Sequence, residues 1–229
     1  DTPGCRDSDR GSGRRQARFR NQREYDRHLQ VVRDRRYAVE RAWADALRAR
    51  GSFSIRGYCE CCEMWTSFSV DDVHSVRGEL NFRERLQCRC CGLNSRQRLA
   101  YDYARAFASL AGVRSVYMYE ALTAVSMLFR ARAGTSNELT ITCSEFLGED
   151  KTQGAVYDSS LIRDGGVPGF EHTPVRHENA MALSFDAGSF DLAISNDVFE
   201  HVADIELTLE EAARALRPGG RLLFTSPIL

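Results

Sequence analysis

Lysine is almost absent from this sequence: Lys151 is the only one in 229 residues, so nearly all positive charge is arginine. Such a bias follows most simply from the nucleotide composition of the source, and by itself it does not give the electrostatic footprint of a nucleic-acid binder. Also missing is any apolar run approaching the roughly 18 residues that a membrane-spanning helix requires. The N-terminus opens charged and Arg-rich, without the apolar centre of a secretory signal. These absences lead to the expectation of a soluble, cytoplasmic protein with no membrane span.

Cysteine, by contrast, is plentiful. Eight occur, and six of them fall in two tight clusters. In a chain without an export signal this favours metal binding in a reducing compartment over disulfides. The net charge of -1 hides an asymmetry, because residues 1–50 carry 14 Arg against 8 acidic residues, about +6, which leaves about -7 for the remainder.

Residues 1–16 contain almost nothing apolar and are expected to be a disordered tail. From residue 17 to Gly51 there is no Pro or Gly until that last position. Within it Leu29, Val32, Val39, Trp43, Ala46 and Leu47 recur mostly at three- and four-residue steps, which predicts an amphipathic packing helix. Its Arg residues alternate with acids, as in Arg23-Glu24 and Arg33-Asp34, the pattern of a solvated face.

Residues 53–98 hold the cysteines and short alternating stretches, the pattern of small strands joined by turns. Cys59 and Cys62 form one C-x-x-C pair and Cys88 and Cys91 another, with 25 residues between them. Two residues between paired thiols let a turn aim both sulfurs at one ion, and four thiolates close a tetrahedral structural zinc site. Cys61 and Cys90 lie inside the pairs, so redox chemistry remains an alternative at this level.

A helix is expected from about Asn94 to residue 111, with Leu99, Tyr103, Ala106, Phe107 and Leu110 on one side. Beyond Gly112, β-rich segments (SVYMYEA, LTITCSEF, FDLAISND, RLLFTSPIL) alternate with helical or loop segments, and residues 148–173 read as a loop. Strands alternating with helices imply a parallel α/β sheet. Phe190 to Asn196 reads as a buried strand with Asn196 and Asp197 at its carboxyl end, where open sheets of this kind place ligands. Leu207, Ala212, Ala215 and Leu216 give the next helix its apolar face, and Pro218-Gly219-Gly220 is expected to end it. Glu200 reads as a helix-entry carboxylate and His201 as a histidine held by packing, with a direct catalytic role as the alternative.

The stretch LSFDAGSFDLAISNDVFEHVADIELTLEEAARALRPGGRLLFTSP resembles class I S-adenosylmethionine-dependent methyltransferases of the methyltransferase type 11 group. NFRERLQCRCCGLNSRQR, YMYEALTA and ITCSEFLG are similar to a subgroup carrying a cysteine ribbon. The resemblance implies an α/β fold with an incomplete, Rossmann-like parallel sheet of about five strands over residues 99–229, after the long helix and the zinc-ribbon-like module. It implies S-adenosylmethionine and a structural zinc held by Cys59, Cys62, Cys88 and Cys91 as cofactors.

By the same resemblance Glu120 faces the amino-acid end of the cofactor, Glu145 accepts from its ribose hydroxyls, and Phe146 stacks or packs beside the ribose. Asn179 stands where the family usually has an Asp for the adenine amino group, and Asn196 lies at the ligand end of its strand. Three departures accompany it: SVYMYEALTAV has none of the family's glycines, Asn179 replaces the Asp, and the chain stops after the last expected strand, as a C-terminally truncated domain would. The function implied is methyl transfer to an acceptor such as a small molecule or a saccharide, with no general base assigned. The alternatives are a non-catalytic remnant acting as an interaction module and a zinc-ribbon methyltransferase that binds nucleic acid, the latter not favoured because no aromatic residues interleave with the ribbon's Arg.

Overall fold

A computed structural model describes residues 21–73, 75, 80–110, 112–133, 139–161 and 172–225. The expected tail over 1–16, the first residues of the predicted helix and the last four residues of the chain lie outside them.

Helix α1 (Gln22–Arg50) is capped by Asn21, whose side chain accepts from the Glu24 amide, and ends at Gly51, whose φ of 75° is a backbone state that glycine adopts without strain. Only its last turns pack. Leu47 is buried and Trp43 sets its ring edge-on to Phe82 at 5.6 Å, but Leu29, Val32 and Val39, the first half of the predicted packing stripe, are each at least 40% exposed.

Strands β1 (Phe53–Cys59), β2 (Met64–Val70) and β3 (Gln87–Cys88) form a small antiparallel sheet in the order β1-β2-β3. Helix α2 (Ser95–Ala108) follows, opened by a capping box in which Asn94 and Gln97 satisfy each other's free amides. Asn94→Ala removes half of that box and the Asn94 bond to Glu84, so we expect a loss of about 1–2 kcal/mol in chemical denaturation. The buried face of α2 is Ala100, Tyr101 and Ala104; Leu99, Tyr103 and Leu110, expected to pack, are 41–54% exposed. The helix carries two overlapping apolar stripes, and the one rich in alanine packs because small side chains let the helix approach the sheet closely.

The second sheet is built from β4 (Ser115–Met118), β5 (Thr140–Glu145), β6 (Val156–Asp158), β7 (Pro174–His177), β8 (Phe190–Asn196) and β9 (Leu216–Thr225), in the order β6-β7-β5-β4-β8-β9. All neighbours are parallel except β6 with β7. Without β6, the order is that of the doubly wound dinucleotide-binding sheet, whose chain reverses direction across the sheet beside its first strand. β6 lies inside the segment expected to be a loop, and its three residues are too few to give a readable alternation.

Helix α3 (Ala124–Ala133) joins β4 to β5, and α4 (Ile205–Ala215) joins β8 to β9. α4 buries Ala212 and Ala215 as expected, together with Thr208, but leaves Leu207 of the expected face 42% exposed. It ends at Ala215; Pro218-Gly219-Gly220 instead sits in a bulge of β9, between the Phe190–Leu216 and Leu192–Arg221 pairs.

One apolar cluster runs without a break from Cys59, Cys61, Cys88 and Phe68 of the small sheet, through Leu93, Tyr101 and Ala104, to Val116, Met118, Leu192 and Ile194 of the large one. On the other face Tyr117, Phe185, Phe190, Tyr119 and Phe199 pack ring on ring with centroids 4.6–5.1 Å apart. The cysteine module and the α/β sheet therefore share a core, and the carboxyl ends of β4, β5, β7 and β8 lie along one edge of that joint structure.

Candidate functional site

The carboxyl end of β4 carries Glu120. It is 4% exposed, and among the described residues neither carboxylate oxygen has a hydrogen bond of good geometry, although Asn196 lies beside it. Burial pushes its carboxyl up to about 8, the dipoles of the nearby Asn196 relieve this only in part, and the charges of Glu145 and Asp197 add to it. A buried carboxylate held in this way is costly and is poised for a cationic ligand group.

Glu145, at the end of β5, has its Oε1 accept from the backbone amides of Ala121 and Leu122 at 2.9 and 3.0 Å. The loop after β4 is thus tied to the neighbouring strand. Ser126 reinforces it by donating to the Ala121 carbonyl, and Arg130 donates to the same oxygen. No residue from Tyr119 to Ala124 has a positive φ, so this loop needs none of the glycines whose absence the sequence makes conspicuous.

Phe146 follows with its ring 54% exposed, 5.5 Å from the imidazole of His177. His177, buried at the end of β7, accepts from the Leu147 amide through Nδ1 at 3.0 Å and so fixes the turn that presents Phe146. Sequence reasoning missed His177, because a lone histidine in a four-residue strand carries no motif. Burial lowers its pKa, and the Nδ1 acceptor requires the neutral ring. Since the unfolded chain binds the proton more readily, stability contributed here is present above about pH 6.5 and falls as pH drops below it. Melting curves from pH 7.5 to 5 should show that loss, flattened in His177→Asn.

Asn179 lies just beyond β7 in an isolated bridge with Ala182, its Oδ1 accepting from the Met181 amide at 2.9 Å. Gln153 clamps the same turn by accepting from the Asn179 amide. Asn196 is buried at the end of β8; its Oδ1 accepts from Arg96 at 2.9 Å and lies 3.1 Å from the Thr225 hydroxyl. Glu120, Glu145 and Asn196 therefore share one sheet edge with Phe146 and Asn179 on the loops beyond it. Glu200 and His201 occupy a single 3-10 turn and both are exposed, so the histidine is not held by packing.

At the other end of the shared core the sulfurs of Cys59, Cys62, Cys88 and Cys91 all lie within 4.8 Å of one another, with Cys59 and Cys91 4.0 Å apart and Cys62 and Cys88 3.9 Å apart. A zinc ion with four bonds of about 2.3 Å needs tetrahedral edges of about 3.8 Å, so the sulfurs fit it nearly as they stand. Cys61 turns away, its sulfur 3.4 Å from the Arg98 carbonyl, and Cys90 is exposed. The four sulfurs group within reach of one ion, while Cys61 and Cys90 lie close to Cys91 and Cys62 without joining that group.

Residues 135–224 match the protein family described as Methyltransferase domain. The chain is 45% identical over 53 residues to a ubiquinone biosynthesis O-methyltransferase of Chelativorans sp., covering 23% of this chain and 21% of the relative. It is 50% identical over 46 residues to a sarcosine/dimethylglycine N-methyltransferase of Halorhodospira halochloris, covering 20% and 16%. The chain thus matches about a fifth or less of the length of these relatives. A solved SAM-dependent methyltransferase of Thermotoga maritima, described as a possible histamine N-methyltransferase, aligns with a TM-score of 0.32 at 23% identity, over 56% of this chain and 54% of that one. No helix among the described residues is long and apolar enough to cross a membrane. Residues 135–224 are thus similar to methyltransferase domains, and the parallel strand order agrees with that likeness.

Proposed function

We propose that this chain transfers a methyl group from S-adenosylmethionine to an acceptor nucleophile, and that a structural zinc in the four-cysteine centre supports the fold. The observation that carries the first part is Glu120, a buried carboxylate without a hydrogen bond of good geometry among the described residues, at the carboxyl end of the sheet's first parallel strand. Its charge and position suit the α-ammonium group of the cofactor. Glu145, with Oε1 committed to the preceding loop, presents its other oxygen as the acceptor for ribose hydroxyls. Phe146 offers an exposed ring beside the ribose, and the Asn179 turn, fixed by Gln153, faces adenine with its backbone rather than with a charge.

When bound, the cofactor supplies an activated methyl on a sulfonium centre. The chain's own contribution is then to bind, orient and exclude water, which lowers the barrier by positioning rather than by proton transfer. The zinc would be held by Cys59, Cys62, Cys88 and Cys91 and, with all four positions taken by sulfur, has no site for a substrate.

Titration calorimetry with S-adenosylmethionine and with S-adenosylhomocysteine tests the reading. Saturable binding of one ligand per chain is the expected result. No binding of either would sink the enzyme and leave the non-catalytic interaction module.

A further inference from the structure

The four-cysteine module and the ligand edge of the sheet are joined by one buried guanidinium. Arg96 stands in the first turn of α2, five residues after Cys91, with its side chain 13% exposed. Its Nε and Nη2 grip the two carboxylate oxygens of Glu84 at 2.8 and 2.9 Å, a paired geometry that fixes the plane of the guanidinium. Nη1 then reaches out of that plane's anchored side to Asn196 Oδ1 at 2.9 Å and to Asp197 Oδ2 at 2.8 Å.

Both ends of this bridge are built. Glu84 is held by Asn94, the cap of α2, and the segment before Cys88 is laced to the same helix start: the Ser95 hydroxyl lies 2.7 Å from both the Phe82 and Arg83 carbonyls and donates to one of them, and Arg98 donates to those of Leu86 and Leu93. At the far end Asp197 has a φ of 59°, a left-handed state that a non-glycine residue keeps only when its surroundings impose it. Thr225 holds it from β9 by accepting from its amide and donating to its Oδ1. Arg96 holds it from the cysteine module. Asn196, the next residue, is the one whose dipoles lie against Glu120.

We propose that Arg96 is a positioning residue through which the folded state of the four-cysteine module sets the conformation of Asn196 and Asp197, and with it the edge that receives the cofactor. Loss of metal disorders the turn that carries Cys88 and Cys91, shifts the start of α2, and withdraws Nη1 from both partners. Asp197 then loses its shortest ion pair and keeps Thr225 and the longer Arg83 contact at 3.5 Å. The consequence for cofactor affinity rests on the function proposed above; the change at Asp197 does not.

Hydrogen exchange read by mass spectrometry on the full chain, with and without a zinc chelator, tests this. In the wild type, chelation should speed exchange over residues 195–200 about tenfold or more, the effect of losing roughly one charge-assisted bond, and leave α4 unchanged. Arg96→Met should keep its metal, show the fast exchange before chelation, and gain less than about twofold after it; Arg96→Lys should fall between. An equal response of wild type and Arg96→Met to chelation would overturn the proposal. So would acceleration of α4 alongside residues 195–200, which means general loosening, or loss of metal from Arg96→Met, which makes the residue part of the module's own fold. Calorimetry with S-adenosylhomocysteine on the same samples separates the two claims: a wild type that binds none refutes the cofactor reading and leaves the exchange result standing.

Discussion

Glu120→Gln should weaken S-adenosylmethionine binding by about 30-fold or more, in the range expected when one partner of a buried charge pair is removed, roughly 2–5 kcal/mol. The same substitution should stabilise the free protein. Glu120 is protonated more readily in the fold than in the unfolded chain, since burial raises its carboxyl to about 8 from an ordinary 4.5. The native state therefore binds the extra proton, and its stability is present below about pH 4.5 and lost as pH rises through about 8. At pH 8.5 the Asn196 dipoles only partly offset the desolvation of the buried carboxylate, so the neutral amide should raise the melting temperature there and have little effect at pH 5. Cofactor affinity should move the opposite way with pH. The ammonium group needs the carboxylate, so binding expels a proton and strengthens with pH by up to tenfold per unit between about 5 and 8, then levels. Glu145 on β5 also faces Glu120 and its carboxyl is raised by burial against the pull of two amides, so Glu120→Gln is what assigns the profile to Glu120. Calorimetry across this range, on wild type and Glu120→Gln, gives the slope and its disappearance. An affinity that is flat in pH for the wild type would remove Glu120 from the binding site.

The sheet was legible because β4, β5 and β8 are short runs of β-branched and aromatic residues flanked by helix and turn signals, and because the cysteine pairs have a spacing with a direct geometric meaning. Helical faces were less so. In α2 the stripe through Leu99 and Tyr103 is the more hydrophobic, yet the fold buries Ala100 and Ala104 beside Tyr101, since closeness of approach outweighs side-chain size at that interface. In α1 the periodicity is real, but burial needs a partner surface: Leu47 and Trp43 have one, whereas Leu29, Val32 and Val39 stay exposed. The missing glycines after β4 looked like a defect in the sequence. Their absence is explained by a contact 24 residues away, the Glu145 carboxylate that anchors the loop in ordinary backbone geometry. Arg96 was beyond reach for the same reason: its partner Asn196 is 100 residues distant, and one more arginine in an arginine-rich chain carries no signal.

Removal of the metal ligands should have the largest effect on stability. Cys62→Ser is expected to abolish stoichiometric zinc and to cost about 3–5 kcal/mol, lowering the melting temperature by roughly 6–20 °C. The size of the effect follows from the shared core. Cys59 and Cys88 belong to the apolar cluster that contains Val116 and Ile194, so an unpaired thiol group or a serine hydroxyl there disturbs packing as far as β4 and β8. Cys90→Ser is the control: its side chain is exposed and outside the cluster of four sulfurs, and it should keep both zinc and melting temperature. Cys61→Ser should keep the zinc but lose some stability, since Cys61 is buried against the Arg98 carbonyl. Loss of zinc from Cys61→Ser or Cys90→Ser, with zinc retained by Cys62→Ser, would reassign the ligands. Metal affinity should also rise steeply with pH. Without an ion, burial pushes the Cys59 thiol up to about 11, whereas a hydrogen bond from Cys61 holds Cys91 down at about 4, so zinc must displace protons from part of the set, and each proton expelled adds about a tenfold gain in affinity per pH unit. The release is measurable as a difference in binding enthalpy between buffers of unequal ionisation heat. A binding enthalpy independent of the buffer would mean that the sulfurs are already thiolates, and that a charge not visible among the described residues holds them so.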